Sequence, residues 1–166
     1  MTKADIGWLA GFLDGEGSFM ILVADRYGYR SWYCSVAASS TSTRLLDRCK
    51  ELAGGYITSK FKPKGKAKMS QIWTLKGLPL DDLLPKLLPY LIEKREQAGI
   101  LLALRRETQH GNRKGEHGVN TADSDTHRRR EEMRMAVRAL NHRGDTPIPH
   151  ERVKALAKVR LRLRLD

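Results

Sequence analysis

Two cysteines, Cys34 and Cys49, are all that the 166-residue chain carries, and they lie apart with no CxxC spacing. That scarcity excludes a disulfide-stapled scaffold and a thiolate metal cluster. Both thiols are expected as small core residues in a reducing compartment. Long apolar runs are missing, and no charged-then-apolar segment opens the chain. Neither a membrane span nor a secretory leader is therefore expected, and the protein is read as intracellular, in the cytoplasm of a prokaryote or in an organelle. Asparagine and glutamine are scarce beside abundant arginine, a bias seen in some thermophile proteins. Acids are also in deficit: 19 Asp and Glu face 31 Lys and Arg, for a net charge of +12 and a pI near 10. Such a chain is expected to bind nucleic acid, although charge alone does not separate a DNA enzyme from a basic RNA-binding module.

What is present concentrates first in residues 9 to 17, LAGFLDGEG. Thr2 and Asp5 fit a capping box, and Ile6, Leu9, Ala10 and Leu13 recur at helical spacing before Gly15 and Gly17 stop the helix. Asp14 and Glu16 then fall at a helix C-terminus, where the macrodipole disfavours a carboxylate by about 0.3–1 kcal/mol unless a cation is near. Gly7, Gly11 and Gly15 form a stripe at four-residue intervals, each costing up to about 1 kcal/mol of helix propensity. In return the stripe permits close packing against another helix.

The segment resembles the signature of the LAGLIDADG homing endonucleases: Leu9, Ala10, Gly11, Asp14 and Gly17 are identical, and Glu16 replaces an acid by an acid. Residues 89 to 98, PYLIEKREQA, are similar to the stretch that carries an active-site lysine in single-motif relatives, which points to Lys94. Just after the second strand the chain departs from the family pattern, with hydroxyls and a late Arg44 where some relatives have Gln and Arg.

Read along the chain, Ser18–Ala24 and Tyr29–Ala38 flank a turn and suggest an antiparallel hairpin. Trp32, Cys34 and Val36 are expected to face a core, with Tyr29, Ser31, Tyr33 and Ser35 on the opposite side. Thr41–Ala53 reads as a helix ended by Gly54 and Gly55. A second hairpin follows, Tyr56–Lys62 and Met69–Leu75, around a lysine-rich tip. Leu78–Leu91, interrupted by Pro85 and Pro89, and Ile92–Glu107 read as helices. The fold class is thus α+β, in the order αββαββα. The resemblance implies a saddle with a curved, four-stranded antiparallel sheet lying on DNA.

Residues 1–108 are taken as the core, 109–125 as a loop and 126–166 as a basic helical extension of the same domain, with helices at 126–141 and 149–160. The extension holds twelve Lys and Arg against five Asp and Glu, a net of +7, so over half the excess charge lies there. The final VRLRLRLD fits a strand or a frayed basic tail equally well.

On the sheet, Tyr29, Ser31, Tyr33, Ser35, Thr58, Lys60 and Gln71 are placed to reach base edges. Lys62, Lys64, Lys66 and Lys68 are placed toward phosphates, and Arg26 and Arg44 also toward DNA. Glu16 and the carbonyl of Gly15 suit a hard cation, Mg²⁺, with Mn²⁺ or Ca²⁺ as alternatives. Lys94 would tune the attacking water or stabilise charge, and Asp14 would hold the interface turns. The motif occurs once, which in this family implies a homodimer packed through Gly7, Ala10, Gly11 and Asp14. The implied activity is cleavage of both strands of a long, pseudo-palindromic duplex, leaving short 3′ overhangs. The alternatives are a maturase acting on the host intron RNA and a non-cleaving DNA-binding regulator.

Overall fold

The computed structural model describes residues 1–26, 29–59, 69–111 and 124–165, with backbone alone at 26, 29 and 109–111. The chain runs α1 (Lys3–Glu16), β1 (Gly17–Arg26), β2 (Tyr29–Ser40), α2 (Thr43–Ala53), β3 (Tyr56–Ser59) and β4 (Gln71–Lys76). Four helices follow: α3 (Pro79–Leu87), α4 (Arg95–Gly111), α5 (Ser124–Leu140) and α6 (His150–Leu163). The strands make one four-stranded sheet in the order β1-β2-β4-β3, in the expected α+β arrangement. By contacts the chain divides into two compact units. The first holds residues 1–19 and 35–95, and the second residues 20–34 and 96–166.

In the first unit, α1 starts as its sequence dictates. The Thr2 hydroxyl accepts from Asp5 N–H, and the Asp5 carboxylate accepts from Thr2 N–H, closing the capping box. At the other end Gly17 is extended, not left-handed, and its N–H donates to the Leu13 carbonyl. A Cβ on Gly17 would lie 2.2 Å from that oxygen, so glycine is required there by close approach. Leu9, Ala10 and Leu13 are buried, as are Leu46 and Cys49 of α2 and Leu80, Leu83, Leu84 and Leu87 of α3.

The register pairs Ser40 with Gln71, Ala38 with Trp73 and Val36 with Leu75, and Ile57 of β3 with Trp73. These side chains share the face that packs on α2 and α3. Trp73, fully buried, donates from Nε1 to the Gly54 carbonyl at 2.8 Å. Helix α2 begins at Thr43, later than its periodicity suggests, and Ser42 N–H donates to the Ser40 hydroxyl instead. Pro85 is carried inside α3, where its missing N–H removes one rung without ending the helix.

In the second unit α5 packs on α6, with Met133, Ala136, Val137, Ala155 and Val159 buried. Trp32 and Cys34 are buried as expected, and Tyr33 between them is exposed. Trp32 Nε1 donates to Glu131 at 3.2 Å, and its ring lies 5.0 Å from that of His127. The terminal VRLRLRLD is mostly helix, since α6 continues to Leu163. Its alternation is overridden because Arg160 and Arg162 find partners on helical neighbours, Glu96 and Glu132. Both cysteines are buried and neither is in a disulfide, and burial pushes the Cys49 thiol up to about 12. No helix among the described residues is long and apolar enough to cross a membrane.

Candidate active site and nucleic-acid interface

Asp14 and Glu16, two residues apart at the end of α1, have different surroundings. Asp14 is half-buried, and both of its oxygens are used: Oδ2 accepts from Ile92 N–H at 2.8 Å and Oδ1 from Lys94 N–H at 2.9 Å. Those N–H groups stand immediately ahead of α4, at an end of a helix where carboxylates are favoured, which compensates for Asp14's own place at a helix C-terminus. Periodicity alone had suggested a helix starting at Ile92. The structure starts it at Arg95, because Asp14 fixes residues 92–94 as a turn. Lys94 therefore sits in a turn, half-buried.

Glu16 is exposed, with no partner among the described residues. It lies on the wall of a hollow of about 340 Å³ whose other lining residues are Phe12, Ser39, Ser40, Thr41, Leu45 and Ser70. The carbonyl of Gly15 is among the last of α1, beyond the reach of in-helix donors. Among the described residues no group of three or more Asp, Glu, His or Cys converges on a point. One Glu16 carboxylate and one carbonyl thus offer a partial set of hard oxygen donors, of which Glu16 lies on the hollow.

Of the residues placed toward a second copy, Gly7 has Tyr90 Cδ1 3.9 Å from where a Cβ would stand, whereas Gly11 and Gly15 face open space. Ala10 is fully buried inside its own unit, because it lies on the Leu9 and Leu13 side of α1, so it packs inward. Trp8, exposed, stacks on Phe12 with ring centroids 5.6 Å apart and planes 4° from parallel.

On the face of the ladder away from α2 and α3 lie Ser39, Ile72, Thr74, Lys76, Tyr56 and Thr58. Thr58 is exposed there, in line with expectation. Ser35 shares that parity but is only 1 % exposed and its hydroxyl has no partner among the described residues. A short side chain paired with Lys76 is sunk among longer neighbours, so Ser35 does not present a hydroxyl to a bound molecule. Gln71 is displaced more plainly. Paired with Ser40 and Ser59, it shares Trp73's side of the sheet and not that of Thr58. Lys76, which the sequence reading missed, lies on the Thr58 side with its Nζ 5.9 Å from the Tyr56 ring centroid. Its two-residue spacing from Thr74 was the available signal. Ser31 is exposed and donates to the Ala24 carbonyl at 3.1 Å. Arg44 is exposed on α2. Lys60, Lys62, Lys64, Lys66 and Lys68 lie outside the described residues, as do the side chains of Arg26 and Tyr29, and residues 112–123 of the expected loop.

The charge of the C-terminal extension is partly internal. Arg128 pairs with Asp125, Arg130 with Glu107, Arg134 with Glu131, Arg160 with Glu96, and Lys158 and Arg162 with Glu132. Half of its basic side chains are thereby spoken for. Burial opposes ionisation of Glu131 and Glu132, yet hydrogen bonds from Arg134 and Trp32, and from Arg162 and Lys158, hold both carboxyls below the ordinary range.

No family model matches the chain. The DNA endonuclease I-CvuI of Chlorella vulgaris is 35% identical over 103 residues, which are 58% of this chain and 61% of that relative; the chain thus covers under two thirds of the relative's length. Among solved structures, I-CvuI in complex with the I-CreI target superposes with a TM-score of 0.65 at 22% identity, covering 95% of each chain. The archaeal intron-encoded homing endonuclease I-Vdi141I complexed with DNA gives 0.63 at 18% identity, over 98% of each. I-SmaMI, a LAGLIDADG homing endonuclease bound to cleaved DNA, gives 0.53 at 21% identity, over 92% of this chain and 48% of that one. With the signature at residues 9–17, this strand and helix order, and these likenesses, the chain resembles the LAGLIDADG homing endonucleases in its motif and shares their fold.

Proposed function

We propose that the protein is a site-specific DNA endonuclease that acts as a homodimer and hydrolyses one phosphodiester in each strand of a long, pseudo-palindromic duplex. The observation that carries this reading is Glu16: an exposed carboxylate at the end of the motif helix, in a hollow open to solvent, on a fold shared with DNA-bound endonucleases. An exposed acid without a partner among the described residues would only repel the polyanion that a plain DNA-binding or RNA-binding module holds.

The donor set suits a divalent cation. Glu16 and the Gly15 carbonyl are hard oxygen ligands, and the open side of the hollow leaves room for phosphate and water oxygens, so the residues fit Mg²⁺, with Mn²⁺ or Ca²⁺ as substitutes. When bound, such an ion supplies charge stabilisation at the phosphate and a more acidic water. Asp14, saturated by two backbone donors, keeps the turn that carries Lys94 in place. Lys94 would place its positive charge against the reacting phosphate. Thr58, Tyr33 and Lys76 are the exposed side chains suited to reading or gripping the duplex, with the lysines of residues 60–68 toward its phosphates.

Three observations support a dimer. The motif occurs once, and α1 leaves Gly11 and Gly15 with open space in the protomer, as a close helix partner requires. The chain also aligns along 92% of itself with only 48% of I-SmaMI, so a protein of that size has room for two such folds.

The test uses duplexes selected from a randomised pool by binding to the protein, then incubated with and without Mg²⁺. Wild type is expected to cut both strands only with the ion, and Glu16→Gln to bind the same duplexes without cutting. If both proteins bind and neither cuts under Mg²⁺, the endonuclease reading fails.

A further inference from the structure

The hollow beside Glu16 is lined by hydroxyls drawn from separate stretches of the first unit. Ser39 and Ser40 end β2, Thr41 follows them, and Ser70 precedes β4. The pairing of Ser40 with Gln71 is what brings Ser70 alongside, although 30 residues separate Ser40 from it. The Ser40 hydroxyl is occupied in accepting from Ser42 N–H at 3.0 Å. Those of Ser39, Thr41 and Ser70 have no hydrogen-bond partner among the described residues, and among the described residues no basic side chain lines the hollow.

Neutral O–H donors next to an exposed carboxylate have a specific use. A lysine or arginine at this wall would form an ion pair with Glu16 and consume its charge. A hydroxyl donates to an anion without doing so, and its hydrogen rotates to suit the acceptor. We propose that Ser39, Thr41 and Ser70 bind a non-bridging oxygen of one DNA phosphate in each half-site, the phosphate next to Glu16. This assignment rests on the endonuclease reading for the identity of the ligand. It explains why hydroxyls occupy the stretch after β2, where the family resemblance suggested longer polar side chains. Because the donors are uncharged, this phosphate contact adds nothing to the salt dependence of binding, which basic residues supply elsewhere.

The experiment measures duplex binding in EDTA, so that no cleavage or metal enters. Pool-selected duplexes are compared with copies carrying a single uncharged methylphosphonate, scanned along each strand. Besides the positions gripped by basic residues, wild type should lose about tenfold in affinity at one symmetry-related position per half-site, as expected for hydrogen bonds to a charged oxygen. The triple variant Ser39→Ala/Thr41→Ala/Ser70→Ala should bind the native duplex about tenfold more weakly and lose that positional sensitivity. Thr41→Ser and Ser70→Thr should keep both, and circular dichroism checks that every variant is folded. The proposal is overturned if the triple variant keeps the wild-type sensitivity at every position, if the conservative variants lose it equally, or if wild type binds no duplex. A wild type that binds but never cuts with Mg²⁺ would sink the endonuclease reading alone, since the EDTA measurement still decides the role of the hydroxyls.

Discussion

The backbone N–H of Lys94 donates to Asp14 Oδ1 at 2.9 Å, tying the end of the motif helix to a turn 80 residues away in sequence. With Ile92 N–H on the other oxygen, Asp14 acts as a two-pronged acceptor, and Glu16 has no partner among the described residues. The two acids of the motif therefore divide their work, one holding the turn and the other facing solvent.

That division predicts opposite phenotypes. Asp14→Ala should strand two N–H groups and cost about 2 kcal/mol of stability, together with cleavage. Glu16→Gln should alter stability by under about 0.5 kcal/mol, as an exposed substitution does, while abolishing cleavage. Urea unfolding of both variants alongside a nicking assay checks this. Equal destabilisation by the two would contradict it.

Gly11 separates protomer stability from association. A Cβ there meets nothing within 4 Å in the protomer, so Gly11→Ala should stabilise the helix by about 0.5–1 kcal/mol. If α1 packs closely on its copy, the same methyl should weaken the dimer. Sedimentation equilibrium is expected to show a shift toward monomer in a protein whose unfolding midpoint at low concentration has risen. An unchanged dimer constant would remove α1 from the interface.

Gly17→Ala should behave differently, because its Cβ would press to 2.2 Å from the Leu13 carbonyl. Overpacking against backbone costs on the order of 1–3 kcal/mol or more. Thermal unfolding should reveal a large loss, and a variant as stable as wild type would show that the junction of α1 and β1 relaxes freely.

Acid sensitivity should arise in the second unit. Glu131 and Glu132 have folded-state pKa values below their unfolded ones. Their contribution is thus present above the unfolded glutamate pKa of about 4.3 and lost as pH falls through the lowered folded value. Wild-type unfolding free energy should be flat near neutrality and decline below about pH 4.5. Glu132→Gln should start lower and decline less steeply, since Lys158 and Arg162 have already lost their partner. Parallel pH profiles for the two proteins would refute this account.

Much of the fold was legible because local physics is strong where it was read. The Thr2 and Asp5 cap, the Leu9, Ala10 and Leu13 stripe, the alternation of Trp32 and Cys34, and the helical period of α2 each recur in the structure. Pairing defeated the reading at Gln71 and Ser35. A strand's alternation tells which residues share a face, but register decides which face it is and how deeply a short side chain sinks. Charge was misleading in the C-terminal extension for a similar reason. Counting gives a net of +7, whereas only packing shows that half the basic groups already hold acidic partners.

The chain's own order of residues determined its resemblance to the LAGLIDADG endonucleases, its basic character, its helices and strands, and the presence of two acids at the end of one helix. Tertiary structure decided what those acids do. Asp14 and Glu16 look equivalent in sequence, and they differ because residues 92–94 arrive with two unsatisfied N–H groups at one carboxylate and leave the other at the mouth of a hollow. Spacing places neighbours along a helix, but hydrogen-bond demand from distant backbone is settled only when the chain has folded.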